Sequence, residues 1–262
     1  MSVAIVTAAA LVLFAIVVLR KHRQTWSEIF RLRAAIDDLH AQLVAARKES
    51  ALLSAGTTRL PPLMPSQNGE DLWLWDFFGR KRDGFFVDAG AYDGVGFSNS
   101  YFFEAIGWSG VLVEAAPELH AECVAARPHS TVVHAAVGAA NGSIAFTVVD
   151  GAQGVATLSS ATPDTERIAR EGGSTRVVDV PMRTLDDILR GVDRPIDFVS
   201  IDVEGAELDA LRGFDLERFH PRILVIEENT HEAGARVREY LAARGYAPVH
   251  QIEQNVFYGG AR

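Results

Sequence analysis

Four acids, Asp88, Asp93, Glu114 and Asp202, lie at or just beyond the ends of short apolar runs. Their setting suits the grip of a nucleoside cofactor and the removal of a proton. Asp88 closes the run Phe85-Phe86-Val87 and leads into Gly90-Ala91-Tyr92-Asp93-Gly94-Val95-Gly96. Glycines such as Gly90 and Gly94 let a chain turn sharply after a strand and let a ligand approach the backbone closely. A dinucleotide fingerprint needs G-x-G-x-x-G, which this loop lacks, and no Gly-Lys-Ser/Thr phosphate loop is present. A carboxylate at position 88 would also repel a pyrophosphate, whereas it suits a cationic, phosphate-free cofactor such as S-adenosylmethionine (SAM). Glu114 ends Val111-Leu112-Val113 about 25 residues after the start of the loop at Gly90. An acid there can accept both ribose hydroxyl protons. The spacing therefore points to SAM. An NAD-dependent oxidoreductase and a non-catalytic scaffold on the same fold are the rival readings.

These residues need a strand-and-helix frame. Apolar runs at 85–89, 110–114, 131–137, 144–149, 197–202 and 223–227 are strand candidates, and most are continuous rather than alternating. Continuous runs belong to strands covered on both faces. Helical patterns fall between them at 96–106, 118–126, 184–189 and 206–211. Such alternation predicts a doubly wound, mostly parallel α/β sheet. Residues 246–252 and 254–258 are nearly contiguous and predict a closing antiparallel hairpin, the layout of a class I SAM-methyltransferase (Rossmann-like) fold.

Three stretches resemble the FkbM family of methyltransferases: Ser66-Gln67-Asn68-Gly69-Glu70-Asp71, Phe86 through Gly94, and Asp197-Phe198-Val199-Ser200-Ile201-Asp202-Val203-Glu204-Gly205-Ala206-Glu207. The resemblance covers roughly residues 66–228. It implies O-methylation of a hydroxyl on a saccharide or related natural product. It also implies that Gly90, Asp93 and Glu114 line the SAM site and that Gln67 and Glu70 close over the cofactor. Tyr92 departs from the small or asparagine-like residue common in that loop.

Methyl transfer to a hydroxyl needs a base and in-line placement of the acceptor. Asp202, at the end of the fourth main strand, is the first choice for that role. Glu204 is either a second catalytic acid or a helix cap, and Glu207 reads as a cap. Asp202 with Glu228 and Asn229 could instead form an oxygen-rich cluster for Mg2+, a lesser alternative. His231 and His250 are read as structural or exposed, and the aromatics Trp73, Trp75, Phe77 and Phe78 as the apolar face of a helix.

The whole chain has 262 residues, 48% hydrophobic and 23% charged, which is globular composition with room for one large domain and accessory segments. A net charge of −9 argues against nucleic acid as a partner. The lone Cys123 excludes an internal disulfide and a cysteine-based zinc site.

Upstream of the domain, residues 3–19 are uncharged and apolar and are followed by Arg20, Lys21, His22 and Arg23. The basic cluster is on the wrong side for a signal peptide. Residues 1–20 are therefore expected to be a transmembrane anchor in the inner membrane, with the domain cytoplasmic. Residues 21–55 form a helical stalk in which Ile29, Leu32, Ile36, Leu39 and Leu43 step by three and four. β-branched residues at a and leucine at d favour a parallel homodimeric coiled coil; an amphipathic helix lying on its own domain or on the membrane is the alternative. Residues 56–65 form a proline-rich linker, and 66–262 the methyltransferase domain.

Overall fold

The computed structural model describes the backbone of residues 3–56, 59–150 and 174–260, and the side chains of these from residue 28 onward except Val149, Asp150 and Ser174. The chain divides into two compact units, 1–49 and 50–262. The first is helical, part of α1 (Val3–Ala55). Along it Ile29, Leu32, Ile36, Leu39 and Leu43 are all exposed. Among the residues whose side chains are described, no helix is long and apolar enough to cross a membrane, and the expected span at 3–19 lies outside them.

The second unit is built on a seven-stranded sheet. Its strands are β1 (Phe85–Ala89), β2 (Ser109–Glu114), β3 (Thr131–His134), β7 (Phe198–Ile201), β8 (Ile223–Glu227), β9 (Tyr246–Ile252) and β10 (Asn255–Gly260). Their order is β3-β2-β1-β7-β8-β10-β9, with β10 antiparallel to both neighbours and the other pairings parallel. The expected hairpin is present, and its last strand lies inside the sheet. Side chains alternate between two covered faces. Phe85, Val87, Leu224 and Ile226 enter one core, while Phe86, Phe198, Ile223 and Val225 enter the other. Both faces are apolar, hence the unbroken hydrophobic runs. Ala51 and Ala55, in the last turns of α1, are buried in the second of these cores.

The expected strand at 131–137 is divided. β3 joins the main sheet, and β4 (Ala136–Val137) starts a three-stranded sheet with β6 (Ser174–Arg183) and β5 (Gly142–Asp150), in the order β4-β6-β5. Ala135 marks the crossing and donates its N–H to the Glu114 carbonyl at 3.1 Å.

The remaining helices are α2 (Glu70–Phe77), α3 (Tyr101–Ala105), α4 (Pro117–Ala126), α5 (Leu185–Ile188), α6 (Glu207–Arg212), α7 (Leu216–Phe219) and α8 (His231–Ala242). The expected helix at 96–106 is reduced to α3. Upstream of it, side chains satisfy the donors a helix would use: Asp93 accepts from the N–H groups of Val95 and Gly96, and Ser98 from those of Ser100 and Tyr101. Phe97 has φ 57°, which an α-helix does not tolerate.

Candidate active site

A cavity of about 700 Å3 opens at the carboxyl ends of β1, β2 and β7, where open parallel sheets bind ligands. Ile144, Phe146 and Met182 of the small sheet form an apolar wall, facing the acids Asp88, Glu114, Asp202, Glu204 and Asp209. Among the described residues, the lining includes no lysine, arginine or histidine. Such a site suits a cationic, phosphate-free cofactor.

The turn after β1 is held from two sides. Gly90 has φ 87°, and a Cβ there would lie 1.7 Å from the Asp202 carbonyl oxygen, so only glycine fits. Tyr92, with φ 53°, donates its N–H to Glu114 Oε2 at 2.9 Å. Glu114 Oε1 accepts from the Ala116 N–H at 2.8 Å. Each carboxylate oxygen has a second lone pair for a hydroxyl. Burial pushes the Glu114 carboxyl up to about 7.

Asp88 is buried and accepts from the Ser100 hydroxyl, with Ser98 Oγ 3.5 Å from the same oxygen. Burial raises its pKa; the Ser100 bond, the Arg127 charge and the Ser98 bond oppose that rise.

Asp202 follows β7 directly and donates its N–H to the Ala89 carbonyl at 3.0 Å. Burial within the surrounding protein raises its pKa first, reinforced by Glu227 and then by Glu204 and Glu207. The side chain itself is open to the cavity, where water weakens this effect without reversing it. Glu204 lines the cavity with φ 53°. Glu207 is turned inward, its Oε1 accepting from the N–H groups of Val203 and Gly205 at 3.3 and 2.8 Å, as expected of a cap.

The cavity thus collects Asp88, Gly90, Glu114, Asp202 and Glu204, and leaves other expected site residues outside its lining. Asp93 is occupied by its own loop, with Oδ1 accepting from Val95 and Gly96 at 2.8 and 2.6 Å. Gly94 is packed against Arg127 Cγ and Cys123 Sγ, each 3.0 Å from where its Cβ would be. Glu70 is fully buried, its carboxylate taken by the Asn68 N–H and the Asn255 side-chain amide. It joins the domain's first turn to β10. Gln67 is exposed.

The cluster considered for Mg2+ does not assemble. Glu228 is engaged by the Tyr258 hydroxyl and by Arg238, while the Asn229 amide donates to Glu227. Among the described residues, no group of three His, Cys, Asp or Glu side chains is placed to hold a metal. His250 is stacked on Trp73 with ring centroids 5.0 Å apart.

Sequence reasoning missed Ser98, Ser100 and Arg127 around Asp88, and Glu227 beside Asp202. Glu227 had a local signal, since it ends the strand next to β7. Arg127 had none, because its partners lie in residues 94–104, more than twenty positions upstream of it.

The sheet order, its antiparallel insertion and an acidic cavity at the strand ends define a Rossmann-like class I methyltransferase fold. The chain belongs to the FkbM methyltransferase family: the family model described as Methyltransferase FkbM domain matches residues 88–248. It is a SAM-dependent methyltransferase, and the oxidoreductase and scaffold readings give way to that.

Among solved structures, the chain is similar to the METTL16 methyltransferase domain, with 14% identity, a TM-score of 0.44 and coverage of 76% of this chain and 68% of that one. It is similar to the C-terminal domain of precorrin-6Y C5,15-methyltransferase from Rhodobacter capsulatus, with 10% identity, a TM-score of 0.41 and coverage of 75% and 90%. A third is Aeropyrum pernix fibrillarin in complex with SAM, with 10% identity, a TM-score of 0.38 and coverage of 68% and 66%. No curated protein matches the chain.

Proposed function

We propose that the chain O-methylates a hydroxyl of a saccharide or lipid-linked glycan at the cytoplasmic face of the inner membrane. The observation that carries the transfer chemistry is the Asp202 carboxyl, open to the cavity with the acid Glu227 acting on it. SAM supplies an electrophilic methyl group. Asp202 takes or orients the acceptor's hydroxyl proton, and its raised pKa suits it to hold that proton near neutral pH. Glu204, on the same rim, orients the acceptor. Asp88, Gly90 and Glu114 hold the cofactor.

The apolar run at 3–19 and the basic residues after it support a tether, with the domain on the cytoplasmic side. A tether raises the effective concentration of a membrane-bound acceptor. The exposed heptad face of the stalk supports a parallel homodimer.

The test uses the full-length chain in lipid vesicles. Calorimetry should show SAM binding, and radiolabelled methyl groups from SAM should enter the glycolipid fraction of a membrane extract as ethers stable to mild base. Base-labile label would point to carboxyl methylation and overturn the hydroxyl assignment. Label in water-soluble material alone would overturn the membrane assignment.

A further inference from the structure

Arg127, at the end of α4, is wholly buried, and its side-chain nitrogens are engaged. Nε donates to Glu104 Oε2 at 2.9 Å. One terminal nitrogen donates to the Gly94 carbonyl at 3.0 Å and to Ser98 Oγ at 3.4 Å. The other donates to Ser100 Oγ at 3.0 Å. Glu104 balances the charge, and its oxygens also accept from the His129 N–H and the Ser130 hydroxyl. The pair is thus buried with its hydrogen bonds made, the condition under which such a pair is tolerated.

A guanidinium has donors and no acceptor. Ser100 must therefore present a lone pair to Arg127, and of the acceptors left for its hydroxyl proton Asp88 Oδ2 is nearer than Ser98 Oγ at 3.3 Å, so the proton is directed at Asp88. An oxygen receiving that proton is an acceptor, as a carboxylate is. Through Ser100, Arg127 keeps Asp88 Oδ2 an acceptor and so favours the ionised form against the pull of burial. The same side chain fixes the Gly94 carbonyl, so the turn and the acid preceding it share one anchor.

We propose that Arg127, acting through Ser100, is a positioning residue that keeps Asp88 a hydrogen-bond-accepting anion for the cationic cofactor. This rests on the assignment of the cavity to SAM. The other ionisable groups around Asp88 are Glu114 at the end of β2, Asp202 after β7, and Cys123 on α4. Each is neutral or negative, so among the described residues Arg127 is the cation acting on Asp88.

The experiment is calorimetry of the full chain with SAM between about pH 6.5 and about pH 9, reading the affinity of each variant as a ratio to wild type at the same pH. The ratio cancels the titration of SAM's own amino group. Ser100→Ala removes one hydroxyl and is expected to weaken SAM about tenfold at the acidic end, the scale of one hydrogen bond to a charged group. The deficit should shrink to within about twofold at the alkaline end, where Asp88 loses its proton unaided. Arg127→Lys keeps a charge but cannot reach Ser100 and Gly94 together, and should shift the profile the same way. If it fails to fold, Ser100→Ala decides alone. A deficit of equal size at every pH marks a merely structural role and overturns the proposal, as does no deficit at any pH. A wild-type chain that binds no SAM at any pH would overturn the cofactor assignment beneath it, and the proposal with it.

Discussion

Gly90 and Asp202 meet backbone to backbone: a Cβ on the first would lie 1.7 Å from the carbonyl oxygen of the second. The turn proposed to admit the cofactor and the residue proposed to handle the acceptor's proton are therefore one contact. Gly90→Ala must push the two strand ends apart and place alanine at φ 87°. The expected loss is about 2–4 kcal/mol of stability, together with most of the SAM affinity. Thermal unfolding with and without SAM measures both. A variant melting with wild type would show that the strand ends part freely.

Asp202→Ala should abolish methyl transfer while leaving SAM affinity within about threefold, because the side chain is open to the cavity rather than packed in the core. Glu227→Gln keeps the shape but removes the charge that helps raise the Asp202 pKa. It should shift the acid limb of the rate profile to lower pH by about one unit. Counting S-adenosylhomocysteine formed per enzyme reads both, and full turnover by Asp202→Ala would remove that residue from the chemistry.

Asp88, Glu114 and Glu207 are buried acids whose pKa values are raised chiefly by that burial, Glu114 to about 7. A raised acid binds its proton more tightly folded than unfolded, so stability is lost as pH climbs from the unfolded value, near 4.5 for Glu114, through the folded one. The cofactor-free protein should melt at progressively lower temperature between about pH 5 and about pH 8. SAM should restore most of that loss, since its positive charge favours the ionised acids. A melting temperature that rises over this interval would contradict the assignment.

The proposed parallel coiled coil places Leu32 and Leu39, each 64% exposed, at its d positions. Replacing both with Asp should convert the full-length protein in detergent from dimer to monomer by sedimentation, with SAM affinity unchanged. With Leu32 retained, Leu39→Cys should form a disulfide-linked dimer on mild oxidation, as equal heights on two parallel helices permit. A monomeric wild type would rule out self-association through this face.

What the sequence revealed and what it concealed divide by the range of the interaction. Asp88, Glu114 and Asp202 were legible because each ends an apolar strand, and strand ends in a parallel sheet converge on one site. Asp93 and Glu70, assigned to the site by the family resemblance, lie outside the cavity lining with their carboxylates turned onto nearby N–H groups, a choice that residue type alone does not reveal. β6 was missed because polar residues interrupt it, as suits a strand with one exposed face: Ser174-Thr175-Arg176-Val177-Val178-Asp179-Val180. The helical reading of 96–106 failed because Ser98 and Asp93 offered the backbone closer partners than a helix would. Arg127 reports to Asp88 across 39 positions of sequence, a distance at which no local pattern speaks.

The position of β10 has a consequence for how the protein comes into being. This strand follows β9 in the chain, yet it fills the gap between β8 and β9, and its Asn255 supplies the Glu70 carboxylate with a partner. Until residues 255–260 leave the ribosome, β8 presents an unpaired inner edge, and Glu70 lacks that partner. At about 5–20 residues per second, the sheet waits on β10 for many seconds after the stalk has emerged. A chain cut before Asn255 would lack β10 and leave an open edge inside the sheet, the kind of surface that invites association with other chains.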